Sequence, residues 1–335
     1  RFFSAEDLQT EYLSFRDIAV LEAVPNDLSV CLGTITDQFQ TPLSHINVLA
    51  QNRETPNMGL RGAFTNPDLR ALEGKWVQFV VGAGDYSVTE VTEAAADAWW
   101  QEHRPAAVQV PVADLSVTDL RDVEDVLDVD TLGLQEALAR AIPAFGGKAS
   151  HFSAFPHIDT YDIPYPKAFV IPIYYYHQFM VANGFFARVE ALLADPNFKN
   201  DPAVREAELG KLRDDIRLAP LDATFAAALD EKLDADFPGV RLRFRSSTNA
   251  EDLGGFTGAG LYQSATGDPA DPLNSYANAV RKVWSSVWRF RAFEEREYRS
   301  ISHAEVGMAV LIHRSYPTED ASGVAITANI FDTLG

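Results

Sequence analysis

The chain has 335 residues, 47% hydrophobic and 23% charged, so it can bury a sizeable core and is not disordered as a whole. Against 48 Asp and Glu stand only 28 Lys and Arg. The resulting formal charge of −20 argues against a nucleic-acid or anionic-membrane surface as the main business, but a local basic pocket for a small anion remains compatible with it. The length suits two or three domains, no run approaches the roughly 18 apolar residues of a membrane span, and the amphipathic, acidic start RFFSAEDLQTEYLSFRD is not a signal peptide. Cys31, the only cysteine, excludes an internal disulfide and a cysteine-rich zinc site and suits a reducing, cytoplasmic compartment. The chain starts at Arg1 without Met and stops at IFDTLG, and it is expected to be a piece of a longer polypeptide.

Residues 1–107 read as one α/β unit. IAVLEAV and LSVCLGTIT are β-like runs, SHINVLAQNR has helical spacing at Ile46, Leu49 and Ala50, WVQFVVGAGDYSVTEVT is a strand pair, and EAAADAWWQEHR is a closing helix. Residues 108–142 begin with a stretch dense in Asp and Val, read as an acidic linker that packs as an extended strand followed by a short helix; a helix from Leu132 to Ala144 follows and ends toward Gly146-Gly147. Residues 143–335 read as a second α/β unit. Its expected elements are a strand turning into a helix at Pro172, two amphipathic helices (ARVEALLADP and VREAELGKLRDDIRLAP), the strand VRLRFRSS, a Gly-rich loop, one long helix from about Pro272 to Tyr298, and the strands AVLIHRSY and SGVAITANI.

Four constellations could carry chemistry. In Gly146-Gly147-Lys148 the glycines let backbone N–H groups approach a phosphate and the ammonium neutralises it, although a plain turn with a solvated Lys fits equally. Arg241, Arg243 and Arg245 alternate along a strand and so share one face. The loop after them offers Gly254, Gly255, Thr257 and Gly258 to fold over a polyphosphate; row and loop together favour nucleotide phosphates over an exposed strand and a mobile hairpin tip. Arg291, on the Trp284–Trp288 helix, suits either a phosphate contact or an ion pair with nearby Glu. Thr41-Pro42-Leu43-Ser44 reads as a helix start and places His45 where the helix dipole favours an added negative group; the imidazole can there carry a phosphoryl group or simply make a local hydrogen bond. The other histidines show no metal-ligand spacing and read as structural or surface groups.

Taken together, FGGKAS, FRSSTNAEDLGGFTGAGLYQS, WRFRAFEER and ASGVAITAN resemble, in order, the motifs of the nucleotide-binding domain of the pyruvate phosphate dikinase and phosphoenolpyruvate synthase family, and IPYPKAFVIP resembles the strand before them. PLSHINVLAQNRETPNMGL resembles the same family's swivelling phosphohistidine signature, with Arg53 and Pro56 in register after His45. The phosphohistidine unit comes first here, an order similar to that of the glucan water dikinases, and nothing resembles the phosphoenolpyruvate-binding barrel. His313 stands where the family strand often carries Gln.

The resemblance implies an α/β fold: a swivelling phosphohistidine β/α domain (1–107), the linker (108–142) and an incomplete ATP-grasp-like nucleotide-binding domain (143–335). It implies ATP and Mg²⁺ as cofactors, Lys148, Arg245 and Arg291 on phosphates under the Gly254, Gly255, Thr257 and Gly258 loop, and His45 as carrier to an unnamed acceptor. Magnesium ligands are expected beyond Gly335. The function implied is ATP-dependent dikinase-type phosphotransfer; the alternative is a non-catalytic ATP-binding or scaffold module. A swing further implies a modest, polar seam between the two units.

Overall fold

The structure is a computed structural model. It describes residues 1–25, 28–41, 44–82, 84–158, 164–250, 253, 256, 258 and 260–318, except for the side chains of 9, 10, 45, 48, 49 and 52. The expected strand SGVAITANI lies outside these residues.

The first part of the chain runs β1 (Phe2–Phe3), α1 (Asp7–Thr10), β2 (Ile18–Leu21), β3 (Gly33–Thr36), α2 (His45–Arg53), β4 (Asn57–Gly59), α3 (Pro67–Arg70), β5 (Val77–Val81), β6 (Tyr86–Glu90) and α4 (Glu93–His103). Strands β1-β2-β3-β4 form one sheet in that order, every pair parallel. A parallel sheet is normally covered on both faces, and alternation along these strands supplies both coats. Phe3, Ala19 and Leu21 pack with Leu13, Leu28, Cys31 and Ile46 of α2, while Phe2, Val20 and Ile35 pack with Ala63 and Leu69. The antiparallel hairpin β5–β6 lays Phe79 and Val88 against the second coat. LSVCLGTIT is strand only from Gly33, because its partner β2 begins opposite it at Ile18.

The rest runs β7 (Arg121–Asp122), α5 (Val129–Leu132), α6 (Leu134–Phe152), β8 (Ala168–Ile171), α7 (Ile173–Ala182), α8 (Phe185–Ala194), α9 (Pro196–Asn200), α10 (Pro202–Leu218), α11 (Ala223–Asp236), β9 (Leu242–Thr248), β10 (Ala265–Gly267), α12 (Tyr276–Ser285), α13 (Phe290–Tyr298) and β11 (Met308–Arg314). Its sheet has the order β10-β9-β11-β8-β7 with every pair antiparallel. On one face Phe169, Ile171, Leu242, Phe244, Met308, Val310 and Ile312 meet the aromatic side chains of the helices, where Trp284 lies 5.0 Å from Phe179 and 5.8 Å from Phe225 between ring centroids. On the other face α6 covers Ala168, Val170, Ala309 and Leu311.

The stretch at 108–142 packs as a strand followed by a short helix, as its reading allowed, and it is anchored by apolar side chains: β7 joins the sheet edge, Val110 enters the larger core, and Val123, Val126 and Leu127 are buried under α6. Its valines are spaced too irregularly to show a period, and the aspartates between them point elsewhere. One expectation is corrected here. The single long helix expected from Pro272 to Tyr298 is two helices, α12 and α13. A 3₁₀ turn at Ser286–Trp288 and an extended Arg289 (φ −66°, ψ 140°) divide them, which lets Trp288 turn into the core completely.

Helix α13 is where the two parts meet. Arg53, the last residue of α2, pairs with Glu295, and both are largely buried. Tyr298 donates its hydroxyl proton to the Arg53 carbonyl (2.9 Å), and Glu294 accepts the Phe15 N–H (3.0 Å) while pairing with Arg205. Trp100 packs against Phe15 and Tyr298 at 5.2 and 5.7 Å. The seam is thus polar at its centre, with buried ion pairs flanked by aromatic rings.

One turn further, His303 is held on both ring nitrogens. Arg296 Nε, always a donor, lies 2.9 Å from Nδ1, which must therefore accept, and Nε2–H donates to Glu297 (2.7 Å). Burial pushes its pKa down to about 4, against the pull of Glu297 and with the Arg296 charge also lowering it. A depressed histidine stabilises the fold above its unfolded pKa, near 6.5, and loses that contribution as pH falls toward 4, because the unfolded chain takes up the proton first. Between about pH 7 and about pH 5 the native protein should lose about 2 kcal/mol more unfolding free energy than His303→Gln, read by urea denaturation; equal losses would show that His303 is not held neutral.

Candidate nucleotide-binding site

Helix α6 is broken at Gly146, whose φ of 74° and ψ of 167° are not helical. A side chain cannot be accommodated there: the φ is left-handed, and a Cβ would stand 2.4 Å from the Ser247 carbonyl carbon. The break presses the α6 backbone directly onto β9. Ser247 spans it, donating its hydroxyl proton to the Phe145 carbonyl (2.8 Å) and accepting the Ala149 N–H (2.9 Å). One hydroxyl thereby satisfies a carbonyl left by the first helical segment and an amide left by the second. Lys148, in the first turn of the restarted helix, donates from Nζ to the Ser246 carbonyl (2.9 Å), next to Arg245.

Strand β9 alternates as expected. Leu242 and Phe244 enter the aromatic core, while Arg243 and Arg245 project to the α6 side. The register places His313, which stands where the family strand often carries Gln: Arg243 pairs with His313 and Arg245 with Leu311, so His313 shares the face of the arginines. Phe152 at the end of α6 stacks on His313, with ring centroids 6.3 Å apart and planes 6° apart. Nδ1–H of His313 donates to the Arg314 carbonyl (2.8 Å), and burial, with the charges of Arg245 and Arg243 beside it, lowers its pKa and keeps the ring neutral at neutral pH. Its earlier assignment as a structural or surface histidine is therefore incomplete, since it lines the cationic face.

At the β10 edge this face continues into a cavity of about 720 Å³, lined by Arg241, Arg243, Gln263, Thr266, Lys282 and Arg289, with Arg243 Nη1 donating to Thr266 (3.0 Å). Asp268 and Asp271 line the same cavity, so its four cationic side chains exceed its acidic ones by two, a local positive excess in a chain of −20. Lys282 and Thr266 belong to no motif; only the pairing of β10 with β9 and the packing of α12 bring them in.

The structure thus brings Lys148, Arg243, Arg245 and His313 together. Arg291 is placed elsewhere: it lines a second hollow of about 430 Å³ at the seam, with Tyr12, Leu28, Arg213 and Arg217, and the two cavities share Gln263 and Arg289. Gly258 is buried, and its carbonyl accepts the Leu261 N–H (3.2 Å); Gly254, Gly255 and Thr257 lie outside the described residues. His45 does begin α2, after an extended Ser44 that makes no side-chain cap; its own side chain lies outside the description. Among the described residues no group of three or more His, Cys, Asp or Glu is placed to hold a metal ion; the magnesium ligands expected beyond Gly335 fall outside them.

The junction makes a strong demand on Gly146. Gly146→Ala should destabilise the protein by more than about 3 kcal/mol in urea unfolding. Gly133→Ala, also at positive φ (73°) but with nothing within 4 Å of its Cβ, should lose only about 1 kcal/mol. Similar losses at both positions would mean that backbone conformation, not contact with β9, sets the requirement.

Residues 142–333, more than half of the chain, match the family described as "Pyruvate phosphate dikinase, AMP/ATP-binding domain". The phosphoenolpyruvate synthase of Aeropyrum pernix is 25% identical over 202 residues, covering 58% of this chain and 24% of that protein. The probable phosphoenolpyruvate synthase of Methanocaldococcus jannaschii is 28% identical over 175 residues (50% and 14%), and that of Archaeoglobus fulgidus is 25% identical over 195 (56% and 25%). The chain spans a quarter or less of the length of these relatives. The resemblance carried by the motifs is borne out: the chain belongs to the pyruvate phosphate dikinase and phosphoenolpyruvate synthase family, through its AMP/ATP-binding domain.

Proposed function

We propose that this chain is the ATP-using part of a dikinase-type phosphotransferase, with an incomplete ATP-grasp-like unit at 143–335 that binds ATP and a phosphohistidine unit at 1–107 that carries a phosphoryl group from it. The observation that carries this reading is the cationic face formed where the broken helix α6 meets β9: Lys148, Arg243 and Arg245 converge there inside a strongly acidic chain. Phosphoryl transfer asks mainly for charge neutralisation and positioning, and this face supplies both.

In this reading a ring nitrogen of His45 forms a P–N bond to the β-phosphorus of ATP as the bond to the AMP oxygen breaks. The γ-phosphoryl group goes to water or another acceptor. The phosphohistidine then passes its group to the final acceptor, and the imidazole is restored. Gly254, Gly255, Thr257 and Gly258 close over the phosphates, and Arg291, which lines the second cavity, meets the phosphate chain from the seam side. The competing reading, ATP binding without transfer, draws on His313 in place of the family's Gln: a neutral imidazole held by burial offers the nucleotide a different contact.

Mapping the label after incubation of the full-length protein with β- and γ-labelled ATP separates the two. The expected result is acid-labile, base-stable β-label on His45, absent from His45→Ala, which still binds ATP. ATP binding without any label would favour the competing reading. A charge-assisted hydrogen bond contributes about 1.5–3 kcal/mol, so Arg245→Ala should weaken ATP binding about tenfold or more in calorimetry, and increasingly so at low salt. Unchanged affinity would remove Arg245 from the site.

A further inference from the structure

Four chain segments are joined by side chains at the entrance to α2. Asn57, on β4, is the hub. Its Oδ1 accepts from the Thr34 hydroxyl (2.5 Å) and from Gln40 Nε2 (2.9 Å), and its Nδ2 donates to Gln40 Oε1 (2.7 Å) and to Asn47 Oδ1. Gln40 Nε2 also reaches the Thr36 hydroxyl (2.7 Å), which in turn donates to the Gln38 carbonyl (2.8 Å). Asn47 Nδ2 donates to the Thr41 carbonyl (2.8 Å), the same oxygen that accepts the Ser44 N–H (2.9 Å).

Thr34, Thr36 and Gln40 are buried, at an end of a sheet whose other buried positions are apolar. Polar groups in such a place destabilise unless they are paired, and a paired set holds one geometry in a way that apolar packing does not. What this set holds is the course of residues 38–41 and, through Asn47, the rotation of the first turn of α2. That turn begins at His45.

We propose that Asn57, with Asn47 and Gln40, is a positioning set for the phosphoryl carrier: it determines where α2 starts and how its first turn is rotated, and hence the point from which residue 45 works. The proposal rests on the reading of His45 as carrier. The set touches neither the nucleotide face nor the seam, so its loss acts on transfer rather than on ATP binding.

The test uses the full-length protein and two substitutions. Asn57→Asp keeps the acceptor for the Thr34 hydroxyl and Gln40 Nε2 but loses the donors to Asn47 Oδ1 and Gln40 Oε1, whereas Asn47→Ala removes only the link to the helix. Both should form acid-labile label on His45 at least about tenfold more slowly, with kcat lowered and the KM and Kd for ATP unchanged, since small misplacements of a reacting group affect the chemical step. Labelling at the wild-type rate in a folded variant overturns the proposal. Loss of ATP affinity in step with the rate overturns it too, because the effect would then be global. Should Asn57→Asp fail to fold, Asn47→Ala, a half-buried helix-surface change, decides alone. A wild-type protein with no label on His45 removes the carrier reading and this proposal with it, whereas normal wild-type labelling with unaffected variants removes the proposal only.

Discussion

A single hydroxyl, that of Ser247, holds together the part of the molecule on which its chemistry depends. It bridges the two halves of a broken helix, and the break exists because Gly146 lets the helix backbone lie against a strand at a distance no other residue permits. From that contact follow the place of Lys148 on β9, the cover that α6 gives to Ala309, Leu311 and, through Phe152, His313, and the strip of sheet beside them from which Arg243 and Arg245 project. An unbroken helix would keep its N–H groups for itself. The broken one begins again beside a row of guanidinium groups, an arrangement suited to a negatively charged ligand.

The chain carries −20, yet cations gather around the two adjoining cavities: Arg241, Arg243, Lys282 and Arg289 line one, and Arg213, Arg217, Arg289 and Arg291 the other. The neutral state of His313 fits this pattern. Between two guanidinium groups, and under the ring of Phe152, a third positive charge would be destabilising, and the imidazole contributes hydrogen-bonding capacity without it.

How much of this was legible in the sequence depended on whether the signal was local. Gly146-Gly147-Lys148 and the alternating arginines announce themselves because a glycine pair and a period of two have direct conformational meaning. His313 could not be placed from its neighbours, because its role comes from the antiparallel register of β11 on β9. Val123, Val126 and Leu127 are interspersed with aspartates and recur with no helical or strand period, so the sequence shows the packing of the stretch but not which side chains anchor it. The break at Ser286–Arg289 lies in a run where every residue tolerates a helix; burying Trp288 overrides that preference. Helix α11, by contrast, was overlooked although Phe225, Leu229 and Leu233 recur every four residues behind an Asp222 cap.

The aromatic flank of the seam has an optical meaning. Trp100 is nearly covered by Phe15, Val30 and Tyr298, and so has one neighbour from the part of the chain that carries α13. Trp284 and Trp288 lie wholly inside the aromatic core and do not sense the seam. Any excursion that separates α2 from α13 removes Tyr298 from Trp100 and lets water reach the indole. Above the background of the other four tryptophans, a change in Trp100 emission would then report whether the two parts of the chain are docked, without an added dye.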